Sequence, residues 1–208
     1  QIVSYLDKKT KKIDDEIKKN HKLIKLLQEK KQSEINHVVT KGLDDTVNLE
    51  DCEIPWIGKI PKKWDVKCLK YVSKFELSSI DRHTYDDEIQ ISICHYPQVY
   101  NNDVISENIE FPTGSCSKKE FDSFRLKKED VIITKDSESV SEIGVPAYVE
   151  SDFKNTACGY HLAQLTPNKN ELLGKFLFRY IQSSFVNAYF ETEANGVTRF
   201  GLGKYSIN

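Results

Sequence analysis

Apolar side chains recur at alternating intervals of three and four residues along the first forty positions of the chain. This spacing is the seam of a coiled-coil helix, and no Pro or Gly interrupts it before Gly42. No second run of this kind follows, so we predict that the helix pairs with one from outside this sequence. The predicted seam consists of Val3, Leu6, Ile13, Ile17, Asn20, Ile24, Leu27 and Val38. Asn20 either sets the register of the pair or is a polar residue that a solvated helix tolerates.

The pattern changes after the helix, which we assign to residues 1–42. Two prolines and two tryptophans fall between Ile54 and Trp64, and such a segment cannot lie inside a helix. Residues 43–64 are therefore predicted to be an extended linker, in which Trp56 and Trp64 pin the helix to a globular domain at 65–208.

Short alternating or wholly apolar runs mark that domain, as is typical of β-strands. One segment, 172–190, instead carries apolar residues at helical spacing on most of its faces, which predicts a buried helix. The fold class is therefore α+β: a long coiled-coil helix, then a mixed-sheet domain with a packed helix. The predicted strands are 68–72, 89–94, 130–134, 145–149 and 158–165.

Composition excludes several classes of protein. No apolar run reaches the roughly 18 residues of a membrane span, so we expect no membrane partner. The five cysteines are odd in number and form no CxxC pair, which indicates reduced thiols in a cytoplasmic protein. The chain has no Met and begins with Gln1, so we expect it to be a fragment, a processed product or the ordered part of a longer chain.

Charge is divided unevenly along the chain. Residues 1–41 hold eleven Lys against six acidic residues, which leaves 19 basic and 26 acidic residues for the remainder. Nucleic-acid binders are usually basic. An acidic globular part therefore argues against DNA binding driven by phosphate contacts alone.

Motifs of the common enzyme classes are missing: there is no Walker loop, GxGxxG, GxSxG or HExxH. None of the histidines outside the helix, His83, His95 and His161, is close in sequence to a plausible nucleophile. The pairs formed by Cys94 with His95 and by Cys158 with His161 lack the spacing of a known zinc site. We therefore expect neither a catalytic residue nor a metal.

Several segments resemble the specificity subunits of type I restriction–modification systems. Within the helix, the likeness is carried by residues 2–14, 26–31 and 39–43. Beyond it, the segment WIGKIPKKW at 56–64 resembles the entry into a target recognition domain of that family. The segment NGVTRFGL at 195–202 is similar to the closing turn of such a domain.

This resemblance implies a function and a set of partners. Specificity subunits of the family are non-catalytic, and each of their two target recognition domains reads one half of a bipartite target in double-stranded DNA. Two conserved helices pack antiparallel as a spacer, on which methyltransferase and restriction subunits assemble. S-adenosylmethionine and ATP belong to those partners, so no cofactor is expected in this chain.

The same resemblance assigns 1–42 to a conserved spacer helix and 65–208 to one target recognition domain. That order is found in the second half of a specificity subunit, and the other conserved helix would then come from the missing part or from another copy. Two alternatives stay open. The chain could be a coiled-coil adaptor that binds only protein, or an enzyme in its own right, although the missing motifs argue against the latter.

Candidate DNA contacts are polar or cationic side chains on loops between the predicted strands. Lys and Arg can bond guanine, and Asp can accept from cytosine, although the same residues could simply be solvated or structural. The candidates are Lys135, Asp136, Ser137, Tyr160, His161, Thr198, Arg199 and Lys204, with Lys118 and Lys119 as phosphate contacts.

Overall fold

The computed structural model describes residues 1–203 and 206 of the 208-residue chain. The helices are α1 (Ile2–Lys41), α2 (Leu69–Val72), α3 (Tyr96–Tyr100), α4 (Lys118–Phe124), α5 (Gly174–Ile181) and α6 (Ser184–Glu193), with a 3-10 turn at Val140–Glu142. The strands are β1 (Leu49–Asp51), β2 (Lys59–Pro61), β3 (Ser73–Leu77), β4 (Ile89–Cys94), β5 (Val104–Ile105), β6 (Thr113–Cys116), β7 (Val131–Thr134), β8 (Asp136–Ser137), β9 (Pro146–Val149), β10 (Thr156–Cys158), β11 (Leu162–Pro167) and β12 (Phe200–Gly201).

Helix α1 is uninterrupted, as its heptad pattern predicts. It ends at Gly42, which has a φ of 80° and donates its backbone N–H to the carbonyl of Val38, a conformation that glycine adopts without strain. Residues 1–31 are all exposed, whereas Val39 is buried and the last turns pack on α5 and α6. The prediction that the helix needs an outside partner therefore applies to its exposed part, since its end packs within the chain.

Two main sheets and a two-stranded one (β8 and β12) build the globular domain, which confirms the α+β prediction. The larger has the strand order β3-β11-β7-β9-β5, and the smaller has the order β10-β4-β6. Strand β7 is buried on both faces, because Ile132 faces a core shared with the smaller sheet while Val131 and Ile133 face a second core under α5 and α6. Double burial explains the continuous apolar run that predicts this strand.

The predicted strand at 68–72 is wrong, since Leu69–Val72 form helix α2. Leu69 packs against the core and Val72 is buried, whereas Tyr71 is 72% exposed. The two inward side chains are three residues apart, which matches one helical turn and not a strand. The strand β3 follows at Ser73–Leu77.

The predicted strand at 158–165 is interrupted by a turn at 159–161. Strand β10 pairs with β4 in the smaller sheet, whereas β11 pairs with β3 and β7 in the larger one. The chain must therefore turn to pass from one sheet to the other. The apolar pattern is continuous there because both strands are buried, so it contains no sign of the turn.

The single helix predicted at 172–190 is two helices. The hydroxyl of Ser183 donates to the carbonyl of Tyr180 (2.6 Å), where α5 ends. Helix α6 then begins at Ser184, whose backbone N–H donates to the Asn36 Oδ1 atom on α1 (3.0 Å). A side chain about 150 residues away therefore caps this helix start, which explains why local periodicity missed the break.

The segment after α1 contains a short hairpin of β1 and β2. Trp56 stacks on Tyr189 of α6 with ring centroids 5.8 Å apart, and the ring of Trp64 lies against Gly42. Both tryptophans thus tie the segment to neighbouring elements, as predicted, while the domain boundaries at 42 and 64 stay predictions. Across the part of the chain that the structure describes, no helix has both the length and the apolar character to cross a membrane.

The free energy of unfolding should depend on pH through Glu129, which accepts a hydrogen bond from the start of helix α5. Its carboxylate accepts from the Tyr148 hydroxyl (2.6 Å) and from the backbone N–H of Gly174 at the start of α5 (2.8 Å). These bonds hold the pKa of Glu129 below its ordinary value of 4.5, so the stabilisation is present above that pH and lost as pH falls through the folded-state pKa. We expect Glu129→Gln to lower the unfolding free energy by about 1 kcal/mol at pH 7 and by less at pH 3. Urea unfolding of both proteins at the two pH values measures this, and an equal difference at both would contradict it.

Candidate nucleic-acid interface

The end of β7 and the start of β11 lie at the same end of the larger sheet, because these neighbouring strands are antiparallel. Leu162 pairs with Thr134, and the next residue along, Lys135, donates its backbone N–H to the carbonyl of His161 (3.1 Å). Two of the sequence-predicted segments, 135–137 and 160–161, are thereby brought side by side.

A third predicted segment, which carries Thr198 and Arg199, joins them. It is held there by the two-stranded sheet of β8 and β12, in which Gly201 pairs with Asp136. The loop before β12 is closed by a bridge between Asn195 and Gly201. Gly196 has a φ of 146°, and a Cβ atom there would overlap the carbonyl of Arg199. A glycine is therefore required for the turn that places Arg199 over Asp136.

Asp136, His161 and Arg199 form one hydrogen-bonded cluster. Asp136 Oδ1 lies 2.7 Å from His161 Nδ1, accepts from Arg199 Nε at 2.9 Å and forms an ion pair with Arg199 Nη2 at 2.7 Å. The Asp136 side chain is only 16% exposed, whereas those of His161 and Arg199 are 39% and 50% exposed. The carboxylate therefore lies beneath two side chains that face solvent.

Lys135 and Tyr160 flank this cluster. The Lys135 ammonium donates to the Ser78 carbonyl (3.1 Å) and lies 4.3 Å from the centre of the Tyr160 ring. Burial lowers the pKa of Lys135, and the charge of Asp136 opposes that change. Tyr160 is 49% exposed and meets His161 edge-on with ring centroids 5.0 Å apart, so its ring is available for stacking.

Ser137 is buried, and its hydroxyl donates to Glu142 (2.6 Å). Glu142 also accepts from the Tyr96 hydroxyl (2.9 Å), and hydrogen bonds to Ser137 and Tyr96 lower the pKa of Glu142. Burial raises the pKa of Tyr96 to about 12, so its hydroxyl stays protonated and continues to donate. The Ser137 side chain thus fixes β8 beneath the cluster, and it would reach a base only after breaking its bond to Glu142.

Arg82 and His95 lie on segments that contact the turn at 159–161, although the sequence did not single them out as DNA contacts. Burial lowers the pKa of His95, and the nearby charges of His161 and Arg82 act in the same direction. The loop that carries Arg82 is held to the turn at 159–161, because Tyr160 donates its N–H to the Ile80 carbonyl (2.7 Å). Arg82 is one of only four arginines in the chain, and that rarity could have identified it as a candidate.

The remaining predicted DNA contacts are Thr198, Lys204, Lys118 and Lys119. Thr198 precedes Arg199 in the same turn and is exposed, whereas Lys204 lies outside the described residues. Lys118 and Lys119 are at the start of α4, where Lys118 is 82% exposed and lies 3.6 Å from Asp122. Helix α4 contacts the Arg82 loop through the hydroxyl of Ser79, which donates to Glu120 (2.7 Å). All of these DNA contacts stay predictions.

The two Cys–His pairs are brought together by the topology. Parallel pairing of β10 with β4 sets Cys158 opposite Cys94, and His95 lies against Gly159. Burial raises the pKa of Cys94 to about 12 and that of Cys158 well above its ordinary value. Both sulfurs are therefore protonated thiols near neutral pH, a form that binds metals poorly.

No protein-family model matches the chain, and no curated protein matches it. Several solved structures are similar to it. The S subunit of a type I restriction–modification system from M. genitalium is 14% identical, with 79% of this chain and 34% of that chain covered and a TM-score of 0.42. A structure on complex assembly and conformational transition of the type I R-M system is 10% identical, with 93% and 43% covered and a TM-score of 0.49.

The HsdS subunit from Thermoanaerobacter tengcongensis is 11% identical, with 90% of this chain and 43% of that chain covered and a TM-score of 0.50. The chain thus spans less than half the length of the solved proteins that it resembles. A likeness at this identity establishes the fold alone. The described residues share their fold with the S subunits of type I restriction–modification systems.

Proposed function

We propose that the chain is a non-catalytic DNA-recognition subunit of a cytoplasmic type I restriction–modification complex. It would read one half of a bipartite target in double-stranded DNA and position methyltransferase and restriction subunits. One observation carries the proposal: on an S-subunit fold, side chains from three separate loops converge on one exposed cluster that includes His161 and Arg199.

The chemistry of this surface supports base reading. Arg, Lys, His and Tyr side chains supply hydrogen-bond donors and an aromatic face, and they gather locally in a globular part that carries an excess of acidic residues. Phosphate contacts provide much of the affinity for DNA, whereas base contacts provide sequence preference. We therefore assign base reading to this chain and much of the phosphate contact to the methyltransferase subunits.

Methylation mapping tests the proposal directly. Cells that lack the system would express the methyltransferase with and without this chain, and methylated genomic sites would be identified by sequencing. We expect methylation at one discrete bipartite sequence only when the chain is present. Methylation that is scattered, or that does not depend on the chain, would contradict the proposal and favour an adaptor that binds only protein.

A further inference from the structure

We propose that Arg199 reads a guanine in the major groove and that Asp136 is the positioning residue that presents it. This inference rests on the proposed function and adds the identity of one base that the site recognises. It also changes the role of Asp136, which the sequence suggested as an acceptor for a cytosine amine.

The guanidinium of Arg199 has two edges that can donate pairs of parallel hydrogen bonds. Asp136 Oδ1 occupies the edge formed by Nε and Nη2, at 2.9 and 2.7 Å. The other edge consists of Nη1, which bonds nothing among residues 1–203 and 206, and the second N–H of Nη2, whose nitrogen also lies 3.1 Å from His161 Nδ1. Two parallel donors match the O6 and N7 acceptors of guanine, the base that arginine bonds in this manner.

The neighbouring histidine is consistent with this arrangement. His161 Nδ1 lies 2.7 Å from Asp136 Oδ1 and 3.1 Å from Arg199 Nη2. A carboxylate only accepts and a guanidinium only donates, so the contact with Asp136 requires a proton on Nδ1, whereas the contact with Arg199 requires its lone pair. We assign the proton to the shorter, charge-assisted contact with Asp136. His161 and Arg199 then both donate to the same oxygen. That oxygen is committed to these two side chains, and the Asp136 side chain is only 16% exposed.

The backbone around Arg199 limits its freedom before DNA arrives. Strand β12 pairs with β8, and Leu202 donates its N–H to the Lys135 carbonyl (2.8 Å). The side chain is fixed at its base by this pairing and at its tip by Asp136. A side chain that is already ordered loses less conformational entropy on binding, which strengthens the contact that it makes.

Single-atom changes in DNA test the assignment on the reconstituted complex with its methyltransferase. The probe is a duplex that carries the mapped target, in which each guanine of the half-site is replaced in turn by 7-deazaguanine. This analogue lacks the N7 acceptor but keeps base pairing. We expect one replacement to weaken binding by roughly ten- to a hundredfold, and we expect Arg199→Ala to bind the modified and unmodified duplexes alike.

Two further variants test whether Asp136 acts by positioning the base-contacting Arg199. Asp136→Asn should lose part of the discrimination at the same guanine while its melting temperature stays unchanged. Arg179→Ala removes an exposed arginine that bonds Gln182 on α5, and it should keep the full discrimination. If Arg199→Ala stays sensitive to the same replacement, or if no guanine is sensitive in the unaltered protein, the guanine assignment is overturned while the proposed function stands. If mapping finds no discrete target, both are overturned.

Discussion

Replacing Asp130 by alanine is expected to lower the unfolding free energy by roughly 3 kcal/mol, because the buried Gln164 and two partly buried donors would lose their acceptor. Asp130 is 1% exposed. Its carboxylate accepts from the Lys127 N–H (2.9 Å), from Gln164 Nε2 (2.7 Å) and from the Thr166 hydroxyl (2.8 Å). Burial raises the pKa of Asp130, and these three bonds oppose that change. Burying this carboxylate thus costs free energy, and the three donors around it would lack a hydrogen-bond acceptor if it were removed.

Urea unfolding at pH 7 measures this loss, and Asp152→Ala is the matched control. Asp152 is exposed and accepts one bond, from the Lys128 N–H (3.0 Å), so its loss should lower the unfolding free energy by no more than about 1 kcal/mol. Similar losses for the two variants would show that the buried network around Asp130 contributes little. Retention of far-ultraviolet circular dichroism would confirm that the Asp130→Ala protein still folds before it is unfolded.

Local sequence patterns predicted those elements whose apolar positions follow from burial. The heptad repeat predicted α1, and the apolar runs predicted strands β4, β7 and β9, because burial alone fixes which of their residues are apolar. The same signal could not reveal the break between α5 and α6. That break depends on Asn36, a residue on α1 that bonds the first N–H of α6.

Lys31 shows the same limit for single residues. In the heptad pattern it interrupts the apolar seam, whereas in the structure its ammonium lies 3.0 Å from Asp103 and helps to hold α1 on the globular domain. The partner is 72 residues away in sequence. Nothing in the local pattern distinguishes such a contact from a solvated lysine.

The sequence predicted that three loops carry candidate DNA contacts, but it did not predict how their side chains are arranged. Three loops were singled out for their polar and cationic side chains, and strand pairing brings all three together. Residue type alone treats Asp136 and Ser137 as possible readers of DNA. Only the fold shows that Asp136 lies beneath His161 and Arg199, and that Ser137 is buried against Glu142.

The seam of α1 differs from the Asp130 network, because its exposed side chains contribute little to the folding stability of this chain. Ile17 and Ile24 are 47% and 52% exposed, and a run of exposed apolar side chains is typical of an interaction surface. Under the proposed function, this surface binds the second conserved helix, whether that helix comes from the missing part of the subunit or from another copy. Substitutions here should therefore affect assembly and leave folding intact.

We expect Ile17→Asp combined with Ile24→Asp to weaken assembly at least about a hundredfold, since burying each isoleucine contributes about 1.5–3 kcal/mol. The thermal melting of the globular domain should not change. Sedimentation of the chain over a range of concentrations detects pairing with another copy, and co-purification with the methyltransferase detects the larger complex. Lys18→Asp combined with Lys25→Asp places the same side chains one position further on, outside the seam, and should assemble normally. Equal loss of assembly in both double variants would show that charge, and not the apolar seam, determines the association.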